Sequence, residues 1–159
     1  MSAPRAIGVD CGGTKILAGV VGRDGTVDRR HTVPTPTSSE EDLLEALEGV
    51  VETLLGEDVA AIGMGVPSQI DQRTGRAVSS VHVPLSDVDL RGRMRDRFGL
   101  PVGIDNDGNA AAIAEWQLGA GRGASNVVVL TLGTGIGGGL ILDGRPYRGS
   151  VGGGAELGH

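Results

Sequence analysis

The chain has 159 residues, with 14 Lys+Arg against 20 Asp+Glu and a formal net charge of −6. An acidic chain with no basic cluster is excluded as a bulk binder of nucleic-acid backbones, although one nucleotide in a dedicated pocket stays compatible with it. The single cysteine, Cys11, rules out an internal disulfide, and no apolar run approaches the roughly 18 residues of a membrane span, so a soluble, cytoplasmic protein is expected.

Ala6 to Val9 and Ile16 to Val21 are apolar runs around the short connection Asp10-Cys11-Gly12-Gly13-Thr14, which predicts two antiparallel strands. Asp24-Gly25 is a turn signal leading to a third strand near Val27 to Val33, and Pro34 with Pro36 marks a loop. Ser38 with Glu41 reads as a capping box. Leu43, Leu44, Leu47, Val50, Val51, Leu54 and Leu55 then recur at helical spacing. Val59 to Val66 predicts a buried strand ended by Pro67, and Gln69 to Ser80 a turn with short strand pieces. Leu90 to Phe98 predicts a short helix with an Arg-rich outer face, stopped by Gly99. A strand begins at Pro101 to Ile104 and an Ala-rich helix runs from Asn106 to Leu118. Val127 to Leu132 and Ile136 to Leu142 predict two more strands, the second closed by the hairpin signal Asp143-Gly144. Phe98 and Trp116 are expected in the core, and His31 and His82 on the surface. Strands alternating with helices predict an α/β layer fold. The glycines near 119–125 mark the expected boundary, with a first lobe over 1–120 and the beginning of a second over 121–159.

There are 29 glycines, well above the usual share of about 7%. They gather beside apolar strands, where backbone is brought close to a ligand. Asp10-Cys11-Gly12-Gly13-Thr14-Lys15 fits two readings equally. One is a phosphate loop, with N–H groups and the Thr14 hydroxyl as donors and Asp10 holding a hydrated Mg²⁺. The other is a tight hairpin with Asp10 in an Asx turn and Lys15 merely solvated. Gly133, Gly135 and Gly138 match G-x-G-x-x-G after a strand, but a dinucleotide fold needs a helix next. Leu140-Ile141-Leu142 runs straight into Asp143-Gly144, so a second strand-turn-strand clamp is expected, carried by Gly133, Thr134, Gly135, Gly137 and Gly138. Asp105-Asn106-Asp107-Gly108-Asn109 sits where a strand gives way to a helix. A carboxylate there can take a proton from an attacking hydroxyl, and the same residue types are the preferred helix caps. Glu156 and His159 suit sugar hydroxyls or a metal, or plain solvation.

Together these segments resemble the ROK family (repressors, open reading frames, sugar kinases), and within it the glucokinases. The matching stretches are Val9 to Lys15, Gly63-Met64-Gly65-Val66-Pro67, Asn106 to Ala112 with Glu115, Leu132 to Gly139, Asp143-Gly144 and Gly154 to His159. The resemblance implies an actin-like ATPase fold, ribonuclease H-like in its first lobe, that transfers the ATP phosphoryl group to the 6-hydroxyl of glucose. It implies Asp107 as the base, and Asp10 to Lys15 and Gly133 to Gly138 as phosphate loops. Asn106, Asp107, Glu156 and His159 would contact the sugar. ATP and Mg²⁺ are the implied cofactors, with Asp10 holding the ion through water. His159 also matches a ligand of a structural Zn²⁺, which is expected only in a complete chain, since one cysteine cannot build that site. Cys11, Ser68, His82 and Gly108 depart from the family pattern. The expected partners are a hexose and a nucleotide, with no nucleic acid and no membrane, and a homo-oligomer in the complete protein. The chain is expected to stop short of a whole second lobe and to be inactive alone. The alternatives are a kinase for another hexose or N-acetylhexosamine, and a non-catalytic sugar-binding module.

Overall fold

The computed structural model describes residues 4–133, 135–150 and 152–154. Strand β1 (Arg5–Cys11) turns directly into the antiparallel β2 (Lys15–Val21), with Cys11 opposite Ile16, and β3 (Val27–Pro34) adds at the edge. Helix α1 (Glu40–Leu54) crosses one face and returns the chain as β4 (Val59–Val66), parallel to β1. A small separate sheet follows, from β5 (Gln69–Asp71), β6 (Arg76–Ser79) and β7 (Ser86–Val88). Helix α2 (Leu90–Phe98) leads to β8 (Val102–Asn106), parallel to β4, and completes the order β3-β2-β1-β4-β8. Helix α3 (Asp107–Leu118) then precedes a second antiparallel sheet of β9 (Val127–Leu132), β10 (Ile136–Leu142) and β11 (Arg145–Tyr147). The β10–β11 turn places Asp143 and Gly144 at φ 50° and 69°, the left-handed pair that an Asp-Gly hairpin requires. No helix among the described residues is long and apolar enough to cross a membrane.

The two faces of the large sheet differ because strand side chains alternate. Ile7, Val9, Cys11, Ile16, Ala18, Val20, Ile62, Met64, Val66 and Ile104 are buried on one face with Leu43, Leu47, Val50, Val51, Leu90 and Met94 of the helices. Burying each large side chain there stabilises the fold by about 1.5–3 kcal/mol. The opposite face carries Gly8, Asp10, Leu17, Gly19, Gly63, Gly65, Gly103 and Asp105 and floors a groove of about 700 Å³.

Three local expectations are corrected. Ser39, not Ser38, is the N-cap of α1, accepting the Asp42 N–H at 3.1 Å, while the Ser38 hydroxyl donates to the Asp42 carboxylate. The arginines of α2 do not all face solvent. Arg93 reaches Glu41 and Glu48 of α1, and Arg97 reaches Glu48 and Glu52, because Glu48 is buried and its charge needs partners. Trp116 is half-buried rather than core, since its indole N–H finds its acceptor in the Ala124 carbonyl at 2.9 Å, in the connection to β9. Phe98 does pack partly buried against the core.

Replacing Ser39 by Ala should destabilise the protein by about 1 kcal/mol, the usual worth of a lost N-cap. Ser38→Ala, which removes only an exposed side-chain contact, should cost clearly less in the same urea titration.

Candidate functional site

The first glycine loop is a tight hairpin. Gly12 donates its N–H to the Lys15 carbonyl at 2.9 Å, and Thr35 braces the loop by donating its hydroxyl to Gly12 O at 2.7 Å and its N–H to Thr14 O at 3.0 Å. The Gly12 N–H is therefore spent on the hairpin and is not free for a phosphate. The Gly13 and Thr14 N–H groups sit at the tip, without a backbone partner among the described residues. Lys15 is exposed. Asp10, last but one in β1, pairs in the ladder with Leu17 and Gly65. Desolvation first, and then the nearby Asp107 carboxylate, push its carboxyl above the ordinary range, with Lys15 pulling the other way. Cys11 beside it is fully buried, and burial, with Asp10 and Asp107 adding repulsion, pushes its thiol up to about 12.

The second glycine run is also strand-turn-strand. Leu132 pairs with Ile136, and Gly133 donates its N–H to Gly135 O at 3.0 Å. No helix follows, so this is not a dinucleotide-binding turn. Thr134 lies outside the described residues.

Between these hairpins lies the start of α3. Gly65 has no side chain where the helix settles on the sheet: a Cβ there would stand 3.4 Å from the Asp107 Cα and 3.3 Å from the Ala110 Cβ. Gly108 faces the other way, and a Cβ on it would drive into the backbone of Gly138 in β10. Asn106 caps the helix, its side-chain carbonyl accepting the Asn109 N–H at 3.2 Å, so the capping reading of this segment holds for Asn106. Asp107 accepts the Gly108 N–H on Oδ1 at 2.8 Å, and its Oδ2 takes no hydrogen bond from a described residue.

The residue two positions earlier was not singled out by the sequence. Asp105 is nearly buried, and its Oδ1 accepts the Asn106 N–H (2.9 Å), the Gln72 amide (3.1 Å) and the Asn109 amide (3.3 Å). Arg148, just past β11, forks onto Oδ2 at 2.8 and 2.6 Å. Asp105 stands inside the motif already noted, but Gln72 and Arg148 carry no local signal.

Glu156 and His159 lie outside the described residues. Among the described residues no three His, Cys, Asp or Glu side chains gather as a metal site.

A family model described as the ROK family matches residues 6–159. The chain belongs to the ROK family. It is 40% identical over 154 residues to the glucokinase of Streptomyces coelicolor, covering 96% of this chain and 48% of the relative. It is 39% identical over 158 residues to the glucokinase of Thermotoga maritima, covering 98% of this chain and 50% of the relative. Among solved structures, a ROK family glucokinase from Streptomyces griseus, in complex with glucose and AMPPNP, superposes with a TM-score of 0.91 at 39% identity, over 98% of this chain and 50% of that one. The fold is thus the actin-like ATPase fold of ROK kinases, and the chain spans about half the length of the relatives it matches.

Two outcomes are expected from this ROK site. Gly108→Ala should lower the melting temperature by a few degrees. The helix-propensity gain of up to about 1 kcal/mol is outweighed by overpacking of about 1–3 kcal/mol against the Gly138 backbone. Iodoacetamide at about pH 8 should leave Cys11 unmodified in the native protein and label it in urea, because neither thiolate nor access exists in the fold; mass spectrometry reads both.

Proposed function

We propose that the chain is the amino-terminal part of an ATP-dependent hexose kinase that phosphorylates glucose at its 6-hydroxyl. The observation that carries this reading is the setting of Asp107. It opens α3 beside Asp10, at the end of the strand leading into the first glycine hairpin. The next residue, Gly108, rests against β10, the strand leading out of the second. One carboxylate oxygen of Asp107 is free of described donors. The similarity to glucokinases over nearly the whole chain supports glucose as the sugar.

In this reading Asp107 takes the proton of the 6-hydroxyl as it attacks. The Asn106 amide nitrogen, which makes one long contact of 3.5 Å to Ser68 O, turns to a sugar hydroxyl. Glu156 and His159 supply further sugar contacts. The tip of the first hairpin, Gly13-Thr14, and the second glycine run, Gly133 to Gly138, hold the phosphates, and Lys15 adds charge at their edge. The mutual repulsion of Asp10 and Asp107 fits a divalent cation between enzyme and nucleotide, and Asp10 would hold Mg²⁺ through water. When bound, that ion would neutralise charge on the phosphates. Residues 1–120 form the first lobe and 121–159 begin the second. A cytoplasmic enzyme follows from its need for ATP.

The test uses the protein in the length its source makes. Asp107→Asn should lower kcat by about 10²–10⁴-fold while calorimetry still detects glucose binding. A panel of hexoses and N-acetylhexosamines should place glucose first. Retained turnover in the variant would remove Asp107 as the base, and a clear preference for another sugar would replace glucose.

A further inference from the structure

The fork between Arg148 and Asp105 joins two distant parts of the chain at the strand end that presents Asp107. Arg148 belongs to the segment after β11, in the second sheet, and Asp105 to β8, in the first. Both forked contacts are short, 2.8 and 2.6 Å, and the carboxylate is largely out of solvent. A planar guanidinium fixes such a partner in direction as well as distance. The other carboxylate oxygen is not idle: it receives the Asn106 backbone N–H and the amides of Asn109 and Gln72. A guanidinium that holds one oxygen thereby fixes the hydrogen bonds made by the other. Two of those three bonds end on the residue before Asp107 and on the residue two after it. The backbone of Arg148 is engaged as well, its carbonyl accepting the Gly154 N–H at 2.9 Å. One residue therefore grips the strand-to-helix junction by its side chain and the glycine-rich segment after β11 by its main chain.

We propose that Arg148 and Asp105 act as a positioning pair, through which docking of the segment after β11 sets the junction that presents Asp107. In this role the pair acts through Asn106 and Asp107 rather than on the substrates themselves. The proposal rests on reading Asp107 as the base of a sugar kinase. Loss of an ion pair that only stabilised the fold would lower the melting temperature and speed exchange at the junction and in α1 alike, leaving turnover per folded molecule untouched.

The experiment compares Arg148→Ala, Arg148→Lys and Asp105→Asn with the parent, in the protein at the length its source makes. Amide hydrogen exchange is read over Asn106 to Asn109 and, as a control, over α1. The expected result is exchange faster by about tenfold or more at the junction in all three variants, with α1 unchanged. Unchanged exchange at the junction overturns the proposal whether or not the protein phosphorylates sugars. Where the parent does turn over, kcat should fall by about tenfold to a hundredfold, since a shift of about 1 Å at a reacting group has that effect. The KM for ATP should stay within about twofold, and the combined variant should be no worse than the weaker single one, as for residues working as a unit. Parental kcat in folded variants overturns the proposal. Should Arg148→Ala not fold, Arg148→Lys decides, because it keeps the charge and loses the fork. A parent with no sugar-kinase turnover sinks the kinase reading, and the exchange measurement still judges the pair.

Discussion

Helix α3 lies between two sheets at backbone contact, and the candidate site takes its shape from that closeness. Gly65 lets the first turn settle on the large sheet, and Gly108 lets the same turn meet Gly138 in β10. A Cβ on Gly108 would push one layer outward, and a Cβ on Gly65 would press on Ala110 and Asp107. Interiors are packed too densely to absorb such a shift quietly. Glycines thus stand where three main chains converge, and their effect there is to hold a short acidic segment close to both hairpins.

Charge sorts the three aspartates at this end of the sheet into different duties. Asp105 is neutralised by Arg148 and saturated by amide donors. Asp10 has no forked guanidinium partner: burial first, and then the Asp107 charge, raise it above the ordinary carboxylate range against the opposing pull of Lys15. Under the proposed kinase reading, groups so close but so differently surrounded would divide into structural and reactive roles by environment. The free pair faces the hairpins, where a cation and phosphates would relieve the repulsion; the satisfied one holds the scaffold.

Much of the architecture was legible because alternation is a local signal. Ile7-Gly8-Val9-Asp10 and Gly63-Met64-Gly65-Val66 announce both the strand and which face is bare. The bounds of α2, β9 and β10 could be read from their caps and turns. The N-cap of α1 could not be resolved by pattern, since Ser38 and Ser39 each have an acidic residue three positions on, and only the observed backbone chooses between them. Strand β7, three residues long, has no period to read. The inward arginines of α2 follow from Glu48, whose burial is a tertiary fact. Of the candidate site, the hairpins and Asp107 stood out in the sequence. Arg148 did not, because its partner lies 43 residues away, and a contact at that separation leaves no mark on local composition.

The chain holds one tryptophan, and its indole bridges the far end of α3 to Ala124 in the connection to the second sheet. That makes the junction between the sheets optically distinct from the rest of the fold. A movement of the second sheet away from α3 would stretch or release this hydrogen bond. The polarity around a half-buried chromophore would change with it, so within this chain the emission spectrum carries information about how the second sheet sits against α3 without any added label.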